Sequence, residues 1–303
     1  MINITHKVSS LRKAIATATL TVSQPATIAA IENNQVPKGN VFEFSRAAGL
    51  LAVKKTSDVI PDCHPLPIEY TRIQHTIEGL NITITVEVHT IYRTGVEVEA
   101  MHGAMVTALT MYDMLKPIDK NITISQVKVT EKKGGKSDFN NNTREPLRCA
   151  VIVCSDSIAD HTKQDFAGKA VISILEQHGL TAAQYEVIAD EKELISRKAI
   201  ALSEAGYHLV LFTGGTGLSP RDVTPEAIQP LLDRQIPGIM EAARQYGQER
   251  TPYAMLSRGV AGFIGNTLVL TLPGSTRGAQ ETMQALFPYI LHIFKVAEGM
   301  RHE

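Results

Sequence analysis

The sharpest chemical signal in this 303-residue chain is the run Leu209–Pro225, LVLFTGGTGLSPRDVTP, in which an apolar stretch passes straight into Thr213-Gly214-Gly215-Thr216-Gly217. Three glycines in five residues let backbone N–H groups approach a phosphate closely, and the threonine hydroxyls add donors. The run is not a Walker A loop, because no Gly-Lys-Ser/Thr follows, and it lacks the G-x-G-x-x-G spacing of dinucleotide-binding turns. Asp222 stands beside this cradle. A carboxylate there is unfavourable unless a divalent cation intervenes, and Mg²⁺ characteristically joins one or two carboxylates to substrate phosphates. Asp190 follows the apolar run that ends at Ile188, Ser155-Asp156 follows AVIVC, and Ser275 follows TLPG. Each of these, taken singly, is also an ordinary turn or capping residue.

A second group of reactive residues lies earlier. Lys38-Gly39 is followed by Lys54-Lys55 and then by Pro61-Asp62-Cys63-His64-Pro65, where two prolines stiffen the loop around a Cys-His pair. A neutral imidazole at His64 could act as acid or base near pH 7, and a turn histidine with no role reads as well. Glu97 and Glu99 stand two apart in a stretch read as extended, which would point them to one face, with Glu99 near a domain interior. Asp113 and Lys116 are three apart in a helical stretch and so share a face. A lysine held by an aspartate at a pocket makes a general acid or a phosphate clamp, and desolvation would lower its pKa for that role.

Two kinds of scaffold must position these groups. In the first half Leu80, Ile82, Ile84, Val86 and Val88 alternate with polar residues, predicting a half-buried strand. Helices are expected over about 42–55 and over 99–116, where Pro117 stops the run. No parallel-sheet rhythm appears, so this half is read as α+β. The second half has that rhythm: short apolar runs at 150–154, 208–212 and 267–272 alternate with helical patterns. One of these helices carries Val171, Ile174, Leu175 and His178 on one face and ends at Gly179. Another is expected to start with Thr224 as N-cap and Pro225 in its first turn. That pattern predicts a doubly wound α/β sheet with its ligand site beyond the carboxyl ends of the strands.

The composition suits two domains. It is 44% hydrophobic and 20% charged, with a net charge of −1 that excludes a strongly basic nucleic-acid binder and an acidic disordered tail. No run approaches the roughly 20 apolar residues of a membrane span, the start MINITHKVSS has no secretory pattern, and the three cysteines show no CxxC spacing. A soluble cytoplasmic protein is the expectation, with no membrane and no nucleic-acid partner. The polar run KKGGKSDFNNNTREP reads as a linker region, giving domains at 1–139 and 149–303 joined by 140–148. Eleven of the sixteen lysines lie in the first half, which suits anionic phosphates or a merely solvated surface.

The strings KGNVFEFSRAAGLLAVKKTSDVIPDCHPLPIEY, TGVEVEAMHGAMVTALTMYDMLK and EKKGGKSDF resemble the MoaC family, cyclic pyranopterin monophosphate synthase. The resemblance covers about residues 1–139. It implies a ferredoxin-like α+β subunit in a hexamer, with the active site between subunits. It implies conversion of the cyclised GTP derivative made by the radical enzyme MoaA into cyclic pyranopterin monophosphate, with release of pyrophosphate. By motif, Asp113 and Lys116 would be the catalytic pair, Lys38, His64 and Lys132 would complete the catalytic and phosphate-binding set, and Asp62, Cys63, Glu97, Val98 and Glu99 would contact substrate. Asp62 and Asn3 depart from the family pattern, which has an apolar residue and an aspartate there.

The strings CSDSIAD, ADE, TGGTGLSPRDVTPEA, PGIMEAAR and LSRGVAGFIGNTLVLTLPGS resemble the MogA/MoaB molybdopterin adenylyltransferases, related to the G domain of gephyrin. That resemblance implies attack of the molybdopterin phosphate on the α-phosphate of ATP. Asp190 and Asp222 would be the catalytic aspartates and would hold Mg²⁺. Ser155, Asp156, Thr213, Gly214–Gly217, Glu241 and Ser275 would line the pterin and nucleotide site. Together the halves imply a bifunctional molybdenum cofactor enzyme. It would be a homo-hexamer without a prosthetic group, would act on GTP-derived and pterin substrates, and would work beside the other enzymes of the pathway. An alternative is a second half that binds molybdopterin or scaffolds assembly without transferring AMP.

Overall fold

The computed structural model describes residues 1–135, 138, 146–160, 162–297 and 299. The chain divides into two compact units, Met1–Asn140 and Asn141–Glu303. Most of the segment read as a linker, 140–148, lies outside the described residues.

The first unit runs β1 (Ser10–Thr21), α1 (Pro25–Glu32), α2 (Val41–Lys54), α3 (Thr56–Val59), β2 (Tyr70–Glu78), β3 (Asn81–Tyr92), α4 (Glu97–Leu115) and β4 (Thr123–Lys133). Its sheet has the order β2-β3-β1-β4, with all neighbours antiparallel. This βαββαβ plan is ferredoxin-like α+β. The period-two pattern explains which face is covered: Ile82, Ile84, Val86 and Val88 on β3, and Ala14, Ala16, Ala18 and Leu20 on β1, are completely buried. Helices α2 and α4 pack against each other over that face, and small residues set their approach. A Cβ on Gly49 would lie 2.1 Å from Thr107 Oγ1, and one on Gly103 would lie 2.6 Å from Val53 Cγ2.

One local expectation is overturned here. Glu97 and Glu99 belong to the first turn of α4, not to a strand. Carboxylates in the first turn are favoured by the helix dipole, so the helix extends back through them. At about 100° per residue the two point to different sides: Glu99 is only 2% exposed, whereas Glu97 keeps contact with solvent.

The second unit contains β5 (Cys149–Cys154), α5 (Asp156–Ala159), α6 (Ala167–Gln177), β6 (Ala182–Ile188), α7 (Lys192–Glu204), β7 (Leu209–Thr213), α8 (Thr224–Ile228), β8 (Arg234–Gln235), α9 (Pro237–Gln248), β9 (Ala261–Ile264), β10 (Thr267–Leu272), α10 (Thr276–Leu286) and α11 (His292–Ala297). The sheet order is β6-β5-β7-β10-β9-β8, parallel from β6 to β10 and antiparallel at β9 and β8. Every residue of β5, β7 and β10 is buried, as expected of strands covered on both faces. From β5 the chain moves outward to β6, then crosses to β7 on the other side. The sheet therefore changes direction between the ends of β5 and β7, which is where doubly wound sheets bind ligands. Thr224 is not an N-cap but the first residue of α8, with Val223 in the capping position. Its N–H donates to Gly215 O at 3.0 Å, which draws it into the glycine loop. Among the described residues no helix is long and apolar enough to cross a membrane.

Candidate active sites

In the first unit the sequence-predicted residues gather in two places. At the C-terminal end of α4, Asp113 is gripped by two ammonium groups: Lys38 Nζ lies 2.6 Å from Oδ2 and Lys116 Nζ 2.8 Å from Oδ1. Lys38 also donates to the Asp113 carbonyl at 3.0 Å, a cation satisfying the end of a helix. Hydrogen bonds from Lys116 and then Lys38 depress the Asp113 carboxyl to about 2, and Asp113 in turn raises Lys116. The expectation that desolvation lowers Lys116 is thereby corrected. Its side chain is 52% exposed, and the neighbouring carboxylate outweighs the small loss of water.

At the N-terminal end of α4, the Cys63 thiol donates to Glu99 Oε1 at 3.2 Å, while Glu99 Oε2 is buried without a hydrogen-bond partner. Burial, then the Glu99 contact, pushes Cys63 up to about 12, and burial raises Glu99 as well. Lys132 on β4 pairs with Glu97 at 3.2 Å. His64 Nε2 donates to Ile2 O at 2.8 Å, and Asp62 meets the Met1 ammonium at 2.6 Å. Asp62 is thus neutralised locally. Val98 is 44% exposed. With a rise of 1.5 Å per residue, roughly 20 Å of helix separates Glu99 from Asp113. The candidate residues of this unit therefore form two separate clusters rather than one site.

In the second unit the glycine loop divides into a structural and an open part. Thr213 is buried and its hydroxyl donates to Pro273 O at 2.8 Å, so it is not free to bind phosphate. Gly214 has φ +104° and donates to Leu272 O; a Cβ there would stand 2.1 Å from Cys154 O. Gly214→Ala combines left-handed strain with a backbone clash and should cost about 3 kcal/mol or more, read as a lower urea midpoint for the C-terminal unit. Gly215, Thr216 and Gly217 line a cavity of about 470 Å³ with Asp222, Ser275, Met240 and Tyr253. Arg244, Arg277 and Glu281 supply its charged wall.

Both predicted aspartates press on this loop. A Cβ on Gly215 would meet Asp190 Oδ1 at 2.7 Å, and one on Gly217 would meet Asp222 Oδ2 at 2.8 Å. Asp190 Oδ1 is buried without a hydrogen-bond partner. Burial raises the Asp190 carboxyl, and the charges of Asp156 and Asp222 raise it further. Asp222 Oδ2 accepts the Ser219 N–H at 2.8 Å. An unpaired buried carboxylate oxygen beside a second carboxylate fits a hard divalent cation that keeps waters and takes phosphate oxygens. Among the described residues no group of three or more His, Cys, Asp or Glu could hold a metal, so the protein's share would be these two.

Three expected cavity residues fall elsewhere, and Asp190, buried behind the glycine loop, is not on the cavity wall either. Glu241 is exposed and does not line the cavity, because α9 presents Met240, Ala243, Arg244 and Gly247 at helical spacing and Glu241 lies off that face. Ser155 faces Ser157 at 3.3 Å and is also off the cavity. Asp156 does not line it either; its carboxylate takes the Arg221 guanidinium and the Asp190 N–H. The arginines escaped sequence reasoning. Arg258 holds Gly217 O at 2.8 Å and Asp222 O at 2.7 Å, and nothing local in LSRG announces those partners.

Residues 1–135 match the MoaC family, and residues 150–292 match the family described as probable molybdopterin binding domain. A molybdenum cofactor biosynthesis bifunctional protein from Chlorobaculum tepidum is 38% identical over 302 residues, covering 100% of this chain and 96% of that one. The chain belongs to the family of bifunctional molybdenum cofactor biosynthesis proteins. A member from Synechococcus elongatus is 33% identical over 315 residues, covering 100% of this chain and 98% of its own. A cyclic pyranopterin monophosphate synthase from Pelobacter propionicus is 44% identical over 139 residues, 45% of this chain and 86% of that protein. The chain is therefore a molybdenum cofactor biosynthesis enzyme with a MoaC domain ahead of a probable molybdopterin-binding domain, and the two clusters on α4 and the glycine-loop cavity are its candidate centres.

Proposed function

We propose that the first unit converts the cyclised dihydro-GTP derivative into cyclic pyranopterin monophosphate with loss of pyrophosphate, and that the second adenylylates molybdopterin with ATP. The observation that carries the first half is the Lys38–Asp113–Lys116 cluster. Two ammonium groups on one ionised carboxylate form a preorganised acid and phosphate clamp. The reaction centre lies between subunits of a homo-hexamer, where the Asp113 cluster of one chain meets the Cys63–Glu99 and Lys132 end of another.

The observation that carries the second half is the unpaired Asp190 oxygen buried against the glycine loop, which itself opens into the cavity. Here a phosphate oxygen of molybdopterin forms a bond to the α-phosphorus of ATP. The bond to the β-phosphate bridging oxygen breaks, and pyrophosphate leaves. Asp190 and Asp222 would hold Mg²⁺, which when bound supplies positive charge to the phosphates. Gly215–Gly217 would bring backbone N–H groups to the phosphates, and Arg244 and Arg277 would balance the remaining charge. The small-molecule substrates would arrive from, and the products pass to, other enzymes of the pathway.

The test is expression in two strains, one lacking each activity, followed by assay of the purified protein with molybdopterin, ATP and Mg²⁺. Rescue of both strains and an adenylylated product are expected. Molybdopterin binding without product would instead make the second unit a scaffold.

A further inference from the structure

Asp156 opens α5 at the end of β5, and each of its carboxylate oxygens reaches a different loop. Oδ1 accepts the backbone N–H of Asp190 at 2.9 Å. Oδ2 accepts from Arg221, from Nε at 3.1 Å and from Nη2 in a shorter contact. Arg221 directly precedes Asp222 in the chain. The loop after β6 and the loop after β7 are thus tied through one side chain just beyond the end of the strand between them. On its far side the Asp222 loop is held by Arg258 through the Gly217 and Asp222 carbonyls. With both carboxylate oxygens engaged by protein donors, Asp156 has the geometry of a brace and not of a substrate contact.

We propose that Asp156 is a positioning residue that fixes the spacing of Asp190 and Asp222 by bonding the Asp190 backbone and the Arg221 side chain at once. Arg221 has a second use: it neutralises the Asp156 carboxylate, which would otherwise stand uncompensated beside Asp190 and near incoming phosphates. The proposal rests on reading the second unit as an adenylyltransferase. A misplacement of about 1 Å in a preorganised site can cost on the order of 100-fold in rate, so a brace of this kind acts on kcat.

The test compares Asp156→Ala, Asp156→Asn, Arg221→Ala and the Asp156→Asn/Arg221→Ala double variant in the full chain. Adenylylated molybdopterin is measured alongside amide hydrogen exchange at Asp190. Asp156→Ala is expected to lower kcat about 30- to 100-fold with both KM values within about threefold, and to speed Asp190 exchange at least tenfold. Asp156→Asn keeps the acceptor for the Asp190 N–H and loses the ionic half, so it should show an intermediate loss of about tenfold in kcat and leave exchange within about threefold. Arg221→Ala should match it, and the double variant should be no worse than either single one, because they break the same contact.

A rise in KM at unchanged kcat, or additive losses in the double variant, would overturn the brace. If Asp156→Ala does not fold, the Asn, Arg221→Ala and double variants carry the same comparison. If the unaltered protein makes no product, the adenylyltransferase reading fails. The exchange measurement then decides the brace alone: unchanged Asp190 protection in Asp156→Ala overturns it, and where that variant does not fold, Asp190 exchange accelerated about tenfold in Asp156→Asn overturns it.

Discussion

Lys116→Ala is expected to reduce formation of cyclic pyranopterin monophosphate by roughly three orders of magnitude, within the 10²- to 10⁴-fold range of a removed acid–base group. Lys116 is about half exposed and its carboxylate partner keeps Lys38, so the fold should be unaffected. Thermal unfolding, and the adenylylation proposed for the second unit, serve as internal controls. The charge state follows from the geometry: Asp113 lies at about 2 and Lys116 is raised, so the pair is ionised throughout the working pH range. A carboxyl depressed below its unfolded value stabilises the fold at pH above that unfolded value, and the contribution is lost as pH falls toward 2. Activity measured from pH 5 to 9 should accordingly show no limb from Asp113. Equal activity of Lys116→Ala and the unaltered protein would reduce the first unit to an assembly core.

Asp190→Asn separates activity from stability. Adenylylation should fall by about 10²-fold or more, because the substitution removes one of the two carboxylates proposed to hold Mg²⁺. Stability should stay level or rise. Asp190 is raised by burial and by Asp156 and Asp222, so its ionised form is disfavoured in the folded state. For an acid whose folded pKa exceeds the unfolded one, the folded state binds more protons, and stability declines as pH rises through that interval. The asparagine variant removes this decline, and thermal midpoints at pH 4 and pH 8 would show it. A functional site that carries a stability penalty behaves in this way. A fall in the midpoint with full product formation would mean that Asp190 is structural.

Much of the scaffold was legible because it is written in periods. The alternation from Leu80 to Val88 marked β3, and the continuous apolar runs marked β5, β7 and β10. The glycine loop and Asp222 stood out by residue type, three glycines and a carboxylate after an apolar run, whereas Asp190 was marked out only by the family resemblance. What escaped was set by partners distant in sequence. Thr213 looked like a phosphate donor until Pro273 took its hydroxyl, and Asp156 looked like a lining residue until Arg221 and Asp190 occupied both its oxygens. Glu241 failed for a simpler reason: the motif named the helix but not which of its faces meets the cavity. Glu97 and Glu99 were misplaced because a strand and a first helical turn share the same short, valine-containing string.

The span of α4 bears on inheritance as well as on chemistry. If each centre draws one half from either end of this stiff rod in different chains, a defective polypeptide spoils its neighbour's work along with its own. Co-expressed with the normal chain, Lys116→Ala should depress first-unit output beyond its share of the population, whereas Lys116→Ala mixed with Glu99→Gln should regain part of what each has lost, since some junctions then pair two intact ends.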